Sequence, residues 1–362
     1  MPTSPPPPPA EAADRPVGSG EDDGPDPTGP RFGWRALVRS VLGLTLAVVL
    51  LAYALPAIVG TSWEQIGGRL ALAGPGALAL MTGLLLAGLY SYTFTLAASL
   101  PGLSHVRAMM ANAVHAMVGN LVPAGAAAGM AATYVMYRSW GFRRRAVSSS
   151  LLVTGVWNLL ARLSMPVVAL LLVALGRVDV PARVQAAGAV GALVGVLLVG
   201  TFAAVVVSDR VAGPVARTAA RVLRPVARRR PGLDVEALVR DQRARSGSLV
   251  RTGGARMTLG LVGMFALLFA LFVVAARTVG LDLGLAQLLT AYCLRQFLTV
   301  VALTPGGLGI TEAGTAGVLV AFGGDPAAAS ATALLYAVFS QGMSLPLGLT
   351  AWAAWRRGRR AG

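Results

Sequence analysis

A chain of 362 residues, 55% hydrophobic and 13% charged, with a mean hydropathy of +0.67, carries several apolar runs past the roughly 18 residues that suggest a membrane span. Its net charge of +16 rests on 31 basic residues, all of them Arg, so a Walker lysine, a Schiff base and a Ser-Lys dyad are excluded. One cysteine, Cys293, and two histidines, His105 and His115, leave no intrachain disulfide and no Cys- or His-rich metal site, and no cofactor is expected.

Residues 1–30 hold five consecutive prolines at 5–9 and six acidic residues against one Arg, a composition that cannot bury a core and reads as a disordered cytoplasmic tail. No apolar run follows Met1 closely, so this start is not a signal peptide. Arg31, Arg35 and Arg39 flank the first predicted span, 37–59, and by the positive-inside rule place the N-terminus in the cytoplasm. The loop at 60–74 carries Trp63, Glu64 and Arg69, which suits the outer face with Trp63 at the interface. The second span, 75–98, returns to a loop with His105 and Arg107.

From 106 to 138 the apolar run is interrupted by Asn112, His115 and Asn120, then broken at VPAGAAAG by Pro123, Gly125 and Gly129. Arg107 precedes the break and Arg138, Arg143, Arg144 and Arg145 follow it, so both flanks read as cytoplasmic. Two full spans would need about 20 residues each; 106–121 and 125–137 fall short, and the segment reads as a re-entrant helical hairpin. The next span, 147–175, holds Asn158 and Arg162 at i and i+4 on one helix face. Arg162 sits near the midplane and should face the bundle interior, in an ion pair or against substrate.

A fourth span, 184–207, precedes a loop at 208–256 with twelve Arg against four acids. This reads as a cytoplasmic linker against anionic headgroups. The fifth span, 257–279, leads out to Arg277 and Asp282; 285–303 then re-enters with Tyr292, Arg295, Gln296 and Thr299 on one polar stripe. TPGGLGITE at 304–312 stops that helix: Pro305, Gly306, Gly307 and Gly309 break the backbone. Irregular chain at membrane depth survives only where protein or water surrounds it. Glu312 follows one turn later, at the positive end of the next helix, and is expected to pair with Arg295 across the break. The chain turns again at GGDP, crosses from 327 to 355, and ends in a basic tail, 357–362, on the cytoplasmic side.

The expected fold is an all-α polytopic membrane protein, with a transmembrane domain at 31–356 of about six full spans and two re-entrant hairpins. Each half places its hairpin third, in opposite orientation, as an inverted repeat does. The PGGLG-x-x-E element resembles the flippase-like integral membrane domain of the lysylphosphatidylglycerol synthases. Arg295 one helix earlier and the upstream Pro123-x-Gly125 segment, ending in Tyr134, Arg138 and Gly141, belong to the same resemblance. It covers roughly 35–355 and implies a multi-pass protein of the bacterial plasma membrane that moves lipid between leaflets. Two departures accompany it: no soluble aminoacyl transferase follows Trp355, so lipid aminoacylation is not expected, and the first hairpin reads AAAGM where many relatives carry Glu and Arg.

The expected function is therefore a lipid or lipid-linked-headgroup translocase rather than an enzyme. Arg295 and Arg162 would meet phosphate oxygens, Glu312 a cationic headgroup or a proton, and Asn158, Gln296 and Tyr292 would line the same path. Expected partners are a phospholipid or lipid-linked substrate, anionic lipids at the basic loop and a lipid-modifying or glycosyl transferase, with no nucleic acid. The alternative is a membrane-embedded enzyme or accessory subunit of lipid or polyprenyl-glycan synthesis, although paired carboxylates and activated nucleophiles are missing. A solute transporter of the same architecture is a third reading.

Overall fold

Lipid offers a backbone no hydrogen-bond partner, so a chain this apolar must satisfy its N–H and C=O groups within helices or a closed barrel. The computed structural model describes residues 48–121, 125–175, 235–301 and 304–360, together with Val38, Leu42, Thr45, Leu46, Leu193, Leu197 and Gly200. Helix is the regular structure throughout, with no strand among the described residues.

α1 (Leu50–Val59) is π-helical through Ala54. α2 (Trp63–Leu70) starts at a capping box of Ser62 and Gln65, and the Trp63 indole donates back to the Ala52 carbonyl at 2.9 Å. α3 (Pro75–Ser99) has Pro75 at its first position, where a missing N–H costs nothing. α4 (His105–Leu121), α5 (Gly125–Ser139) and α6 (Arg144–Ala174) follow. α7 (Val235–Thr278) runs 44 residues, about 66 Å at 1.5 Å per residue, so it reaches well beyond a bilayer core. Its first part corrects the expectation of a plain linker at 208–256: from Val235 onward that stretch is helix, continuous with the span. α8 (Leu285–Val301), a 3-10 turn at Pro305–Gly307, α9 (Ile310–Ala321), α10 (Pro326–Ala337), a π-helical turn at Val338–Gly342 and α11 (Ser344–Arg360) complete the described chain.

Among the described residues, four helices are long and apolar enough to cross a membrane: Pro75–Ser99, Arg144–Ala174, Gly253–Thr278 and Pro326–Arg359. Of the six spans expected, 37–59 is described from residue 48 on, and 184–207 lies outside the described residues apart from the helical Leu193, Leu197 and Gly200.

Small residues let the long helices touch, as packing without a hydrophobic drive requires. α3 and α7 run antiparallel in close contact: Gly88 lies against Met264, Leu267 and Leu268, Gly263 against Ser91, Gly260 against Thr95 and Gly253 against Ala98. Ser91 donates to the Gly260 carbonyl at 3.0 Å and Thr95 to that of Met257 at 2.8 Å. α4 and α5 also fold back on each other, Gly119 facing Gly125 and His115 facing Gly129. α8 and α9 do the same, with Leu298 against Gly314 and Gln287 donating to the Phe322 carbonyl. The two hairpins then exchange partners. α4 packs on α11, where Gly348 meets Met117 and Ala113, and α8 packs on α6. The largest apolar cluster joins α3, α7, α8, α9 and α10; α1 lies on α9 and α10 through Leu55, Val59, Ala313, Ala316 and Ala333.

Candidate functional site

The second break is built as its residues dictate. Gly306, Gly307 and Gly309 adopt φ of 62°, 75° and 87°, the left-handed region that only glycine enters without strain, so the turn needs its three glycines. The break leaves the first N–H groups of α9 without helical partners. Glu312 meets that need: its Oε2 accepts from the Gly309 N–H at 2.6 Å, a capping-box contact at the start of the helix. Its Oε1 lies 3.2 Å from Arg295 Nη2 and 2.8 Å from the Thr311 hydroxyl. Arg295 also donates to the Thr315 hydroxyl at 3.4 Å and stacks over the Tyr336 ring at 4.8 Å. Arg295 is 2% exposed and Glu312 0%, so the expected ion pair is present and fully buried, each charge holding further hydrogen bonds as burial demands.

Arg162 sits differently. Its Nε donates to Asn158 Oδ1 at 2.8 Å, and its Nη1 to Gln296 Oε1 at 2.8 Å and Thr299 Oγ1 at 2.6 Å. Its guanidinium carbon lies 5.6 Å from the Phe265 ring centroid. Every hydrogen-bond partner is neutral, and no carboxylate pairs with Arg162 among the described residues. Three of its five N–H groups are used; the two on Nη2 are open. The polar stripe of α8 is therefore divided. Arg295 faces the break, Gln296 and Thr299 face α6, and Tyr292 donates to the Phe265 carbonyl at 3.1 Å while its ring packs among Phe269, Phe272 and Tyr336.

The first hairpin carries Gly125 and Gly129 at its helix contact; Pro123 lies outside the described residues. A Cβ on Gly125 would overlap the Gly119 carbonyl, and one on Gly129 would come 2.7 Å from the His115 carbonyl. The end of α4 reaches the break of the second hairpin. Asn120 Oδ1 would lie 2.9 Å from a Cβ on Gly306, and Asn120 Nδ2 donates to the Ser344 hydroxyl at 3.0 Å. The π-helical turn closes the group, Gln341 Nε2 donating to the Gly306 carbonyl at 2.7 Å. Sequence reasoning noted Asn120 only as an interruption and passed over Gln341 and Ser344. Their signal was SQGMS, a polar cluster at 340–344 inside an otherwise apolar span.

A family model described as Lysylphosphatidylglycerol synthase TM region matches residues 40–348, a stretch that contains both hairpins, Arg162 and the π-helical turn. No curated protein matches the chain.

Proposed function

The chain belongs to the Lysylphosphatidylglycerol synthase TM region family, and from that premise we propose that this multi-pass membrane protein is a translocase for a lipid or lipid-linked headgroup. In this reading it carries a polar headgroup between leaflets of the bacterial plasma membrane and makes or breaks no bond. Six full spans and two re-entrant hairpins surround the path, both termini are cytoplasmic, and the basic stretch at 208–256 meets anionic headgroups.

The observation that carries the reading is Arg162. A cation inside a membrane bundle costs roughly 2.5 to 3.5 kcal/mol on insertion scales, and such charges are normally paired with a carboxylate. Arg295 is so paired; Arg162 is held in place by three neutral acceptors, with Nη2 open. An oriented, uncompensated guanidinium is a receptor for an anion supplied from outside the protein, and two N–H groups on one nitrogen suit a phosphate oxygen. Arg295, already neutralised by Glu312, is then a structural neighbour of the path rather than a phosphate ligand.

Packing supports the inverted repeat. Exchanging the halves carries the α4–α11 contact onto the α8–α6 contact and leaves α3 against α7. The register that brings Pro123 onto Pro305 also brings Leu86 onto Leu268, and Leu268 lies against Gly88, as an axis through the α3–α7 crossing would require. α4, α5, α8 and α9 have 17, 15, 17 and 12 residues, each below the about 20 a span needs.

The test is transport of labelled phospholipid across liposomes holding the purified protein. Wild type should exceed empty vesicles. Arg162→Gln should lose about tenfold or more, because a hydrogen bond to a charged group contributes about 1.5–3 kcal/mol. Wild-type vesicles that move no anionic or aminoacylated phospholipid faster than empty ones would overturn the reading. Orientation is checked with single cysteines in a Cys293→Ser background. Positions 64, 177 and 325 should react with an impermeant thiol reagent from outside, and 107, 143, 224 and 357 should not; reaction at 143 would remove the first hairpin and the repeat.

A further inference from the structure

Three separate segments meet at one place: the end of α4 at Asn120, the break at Pro305–Gly307 and the π-helical turn at Val338–Gly342 with Ser344 just after it. Backbone breaks at membrane depth are where bundle proteins place polar sites. Two side-chain amides occupy this junction and are oriented alike. Asn120 donates through Nδ2 to Ser344, and Gln341 donates through Nε2 to the Gly306 carbonyl. The Ser344 hydroxyl in turn donates to the Gln341 carbonyl, which fixes it as an acceptor for Asn120. A flipped Gln341 amide would set its oxygen against the Gly306 carbonyl, so the orientation is determined by chemistry.

Both amides have therefore spent a donor and kept an acceptor. Among the described residues Gln341 Oε1 is buried with no hydrogen-bond partner, and Asn120 Oδ1 has none either. Both amides stand at Gly306: its absent Cβ admits Asn120 Oδ1, and its carbonyl takes the Gln341 Nε2. For the Gln341 oxygen, a buried acceptor without a donor is costly and signals a partner still to arrive; the half-buried Asn120 oxygen beside it is open to the same partner. No carboxylate or arginine takes part in these contacts, which sets this junction apart from Arg162 and from the Arg295–Glu312 pair.

We propose that this junction is a second polar station for the translocated lipid, at which the side-chain oxygens of Asn120 and Gln341 read an N–H or O–H donor on the headgroup. The proposal rests on the translocase reading and divides its labour: Arg162 takes the phosphate, which every phospholipid has, and the hairpin tips select what lies beyond the phosphate. The substrate class is then a phospholipid whose headgroup ends in a hydroxyl or a protonated amine. A quaternary ammonium, with no hydrogen to give, is refused. Sites built to hydrogen-bond a polar group reject the analogue lacking it far more strongly than apolar pockets reject a methylene.

The experiment is a methylation series in liposomes holding the wild-type protein. Labelled phosphatidylethanolamine, its N,N-dimethyl derivative and phosphatidylcholine share one phosphate and one positive charge and offer three, one and no N–H donors. Phosphatidylglycerol adds the hydroxyl arm. Transport should persist through the dimethyl lipid and fall by roughly tenfold at phosphatidylcholine, with phosphatidylglycerol on the fast side. Asn120→Ala and Gln341→Met, each checked for folding by thermal unfolding, should shrink that last step toward equality. Phosphatidylcholine moving as fast as the others in wild type overturns the proposal without any variant. So does a folded variant of either residue that keeps the full step. Failure of the translocase reading looks different: no lipid moves faster than in empty vesicles, and this proposal falls with it.

Discussion

The two helical hairpins have the same plan and different chemistry. Each pairs two short antiparallel helices across a Pro-x-Gly segment, and the register that carries Pro123 onto Pro305 also carries Thr133 onto Thr315, each donating to a carbonyl one turn back. The same register puts Ala113 where Arg295 stands and Met130 where Glu312 stands. The first hairpin closes by contact of glycines with backbone, Gly125 on Gly119 and Gly129 on His115. The second closes around a buried ion pair. A membrane hairpin of this plan therefore closes without charge in one copy and around a buried pair in the other, whereas Arg162, which closes neither hairpin, is the charge left over for something other than the fold.

If the second hairpin depends on its pair because the pair is buried, breaking one partner should produce the largest stability loss in the molecule. Arg295→Gln leaves Glu312 buried without its counter-charge, and Glu312→Gln leaves Arg295 so; each should cost about 3–5 kcal/mol. The double variant, with two neutral amides, should recover much of that loss. Thermal unfolding of the three proteins decides it. Additive losses in the double variant mean the two residues are not coupled, and the contrast between the hairpins fails.

The first hairpin should be sensitive to volume instead. Gly125→Ala places a methyl group into the Gly119 carbonyl, and overpacking of this kind costs about 1–3 kcal/mol. Gly119→Ala is its control. A Cβ there meets the Gly125 backbone at an ordinary 3.6 Å, and the gain in helix propensity, about 0.5–1 kcal/mol, should leave stability level or slightly raised. Equal effects at the two positions would mean the hairpin is not held by this close approach.

Arg162→Gln should separate function from fold. The substitution removes an uncompensated charge whose partners are all neutral, so unfolding should shift little while transport collapses. A large loss of stability would assign Arg162 to the scaffold.

Much of this was legible in the sequence because helix breaks are local. Pro305 and its glycines announce a turn at any depth, and Arg295 and Glu312 had to pair because neither can stand alone in an apolar setting. The division of the α8 stripe was not legible: Gln296 and Thr299 share a face with Arg295, and only the packing of α8 on α6 sends them to Arg162. The junction of the tips was hidden for the same reason. Asn120, Gly306 and Gln341 come from three separate segments, and nothing local in the chain says that they meet. Residues 235–256 were read as a linker because their arginines mask a helix whose continuation is the span itself.

The smallest expected effect tests whether burial, rather than ion pairing as such, distinguishes the second hairpin. At the opposite extreme from Arg295–Glu312 stands Arg69–Asp325, an Arg–carboxylate pair of nearly the same length, 3.1 Å, whose side chains are 37% and 48% exposed. It ties α2 to the start of α10, where Asp325 Oδ2 also accepts the Ala328 N–H at 2.9 Å as the helix cap. Water screens such a pair and its side chains lose entropy in holding it, so Arg69→Gln should cost about 1 kcal/mol or less. Asp325→Ala loses the cap as well and should cost about 1 kcal/mol more, whereas Asp325→Asn keeps a capping oxygen and should behave like Arg69→Gln. The losses at Arg69 should also shrink in high salt, and those at Arg295 should not. Thermal unfolding of these variants at low and high salt makes the comparison: a salt-insensitive loss at Arg69 as large as that at Arg295 would mean that environment does not decide what an ion pair contributes here.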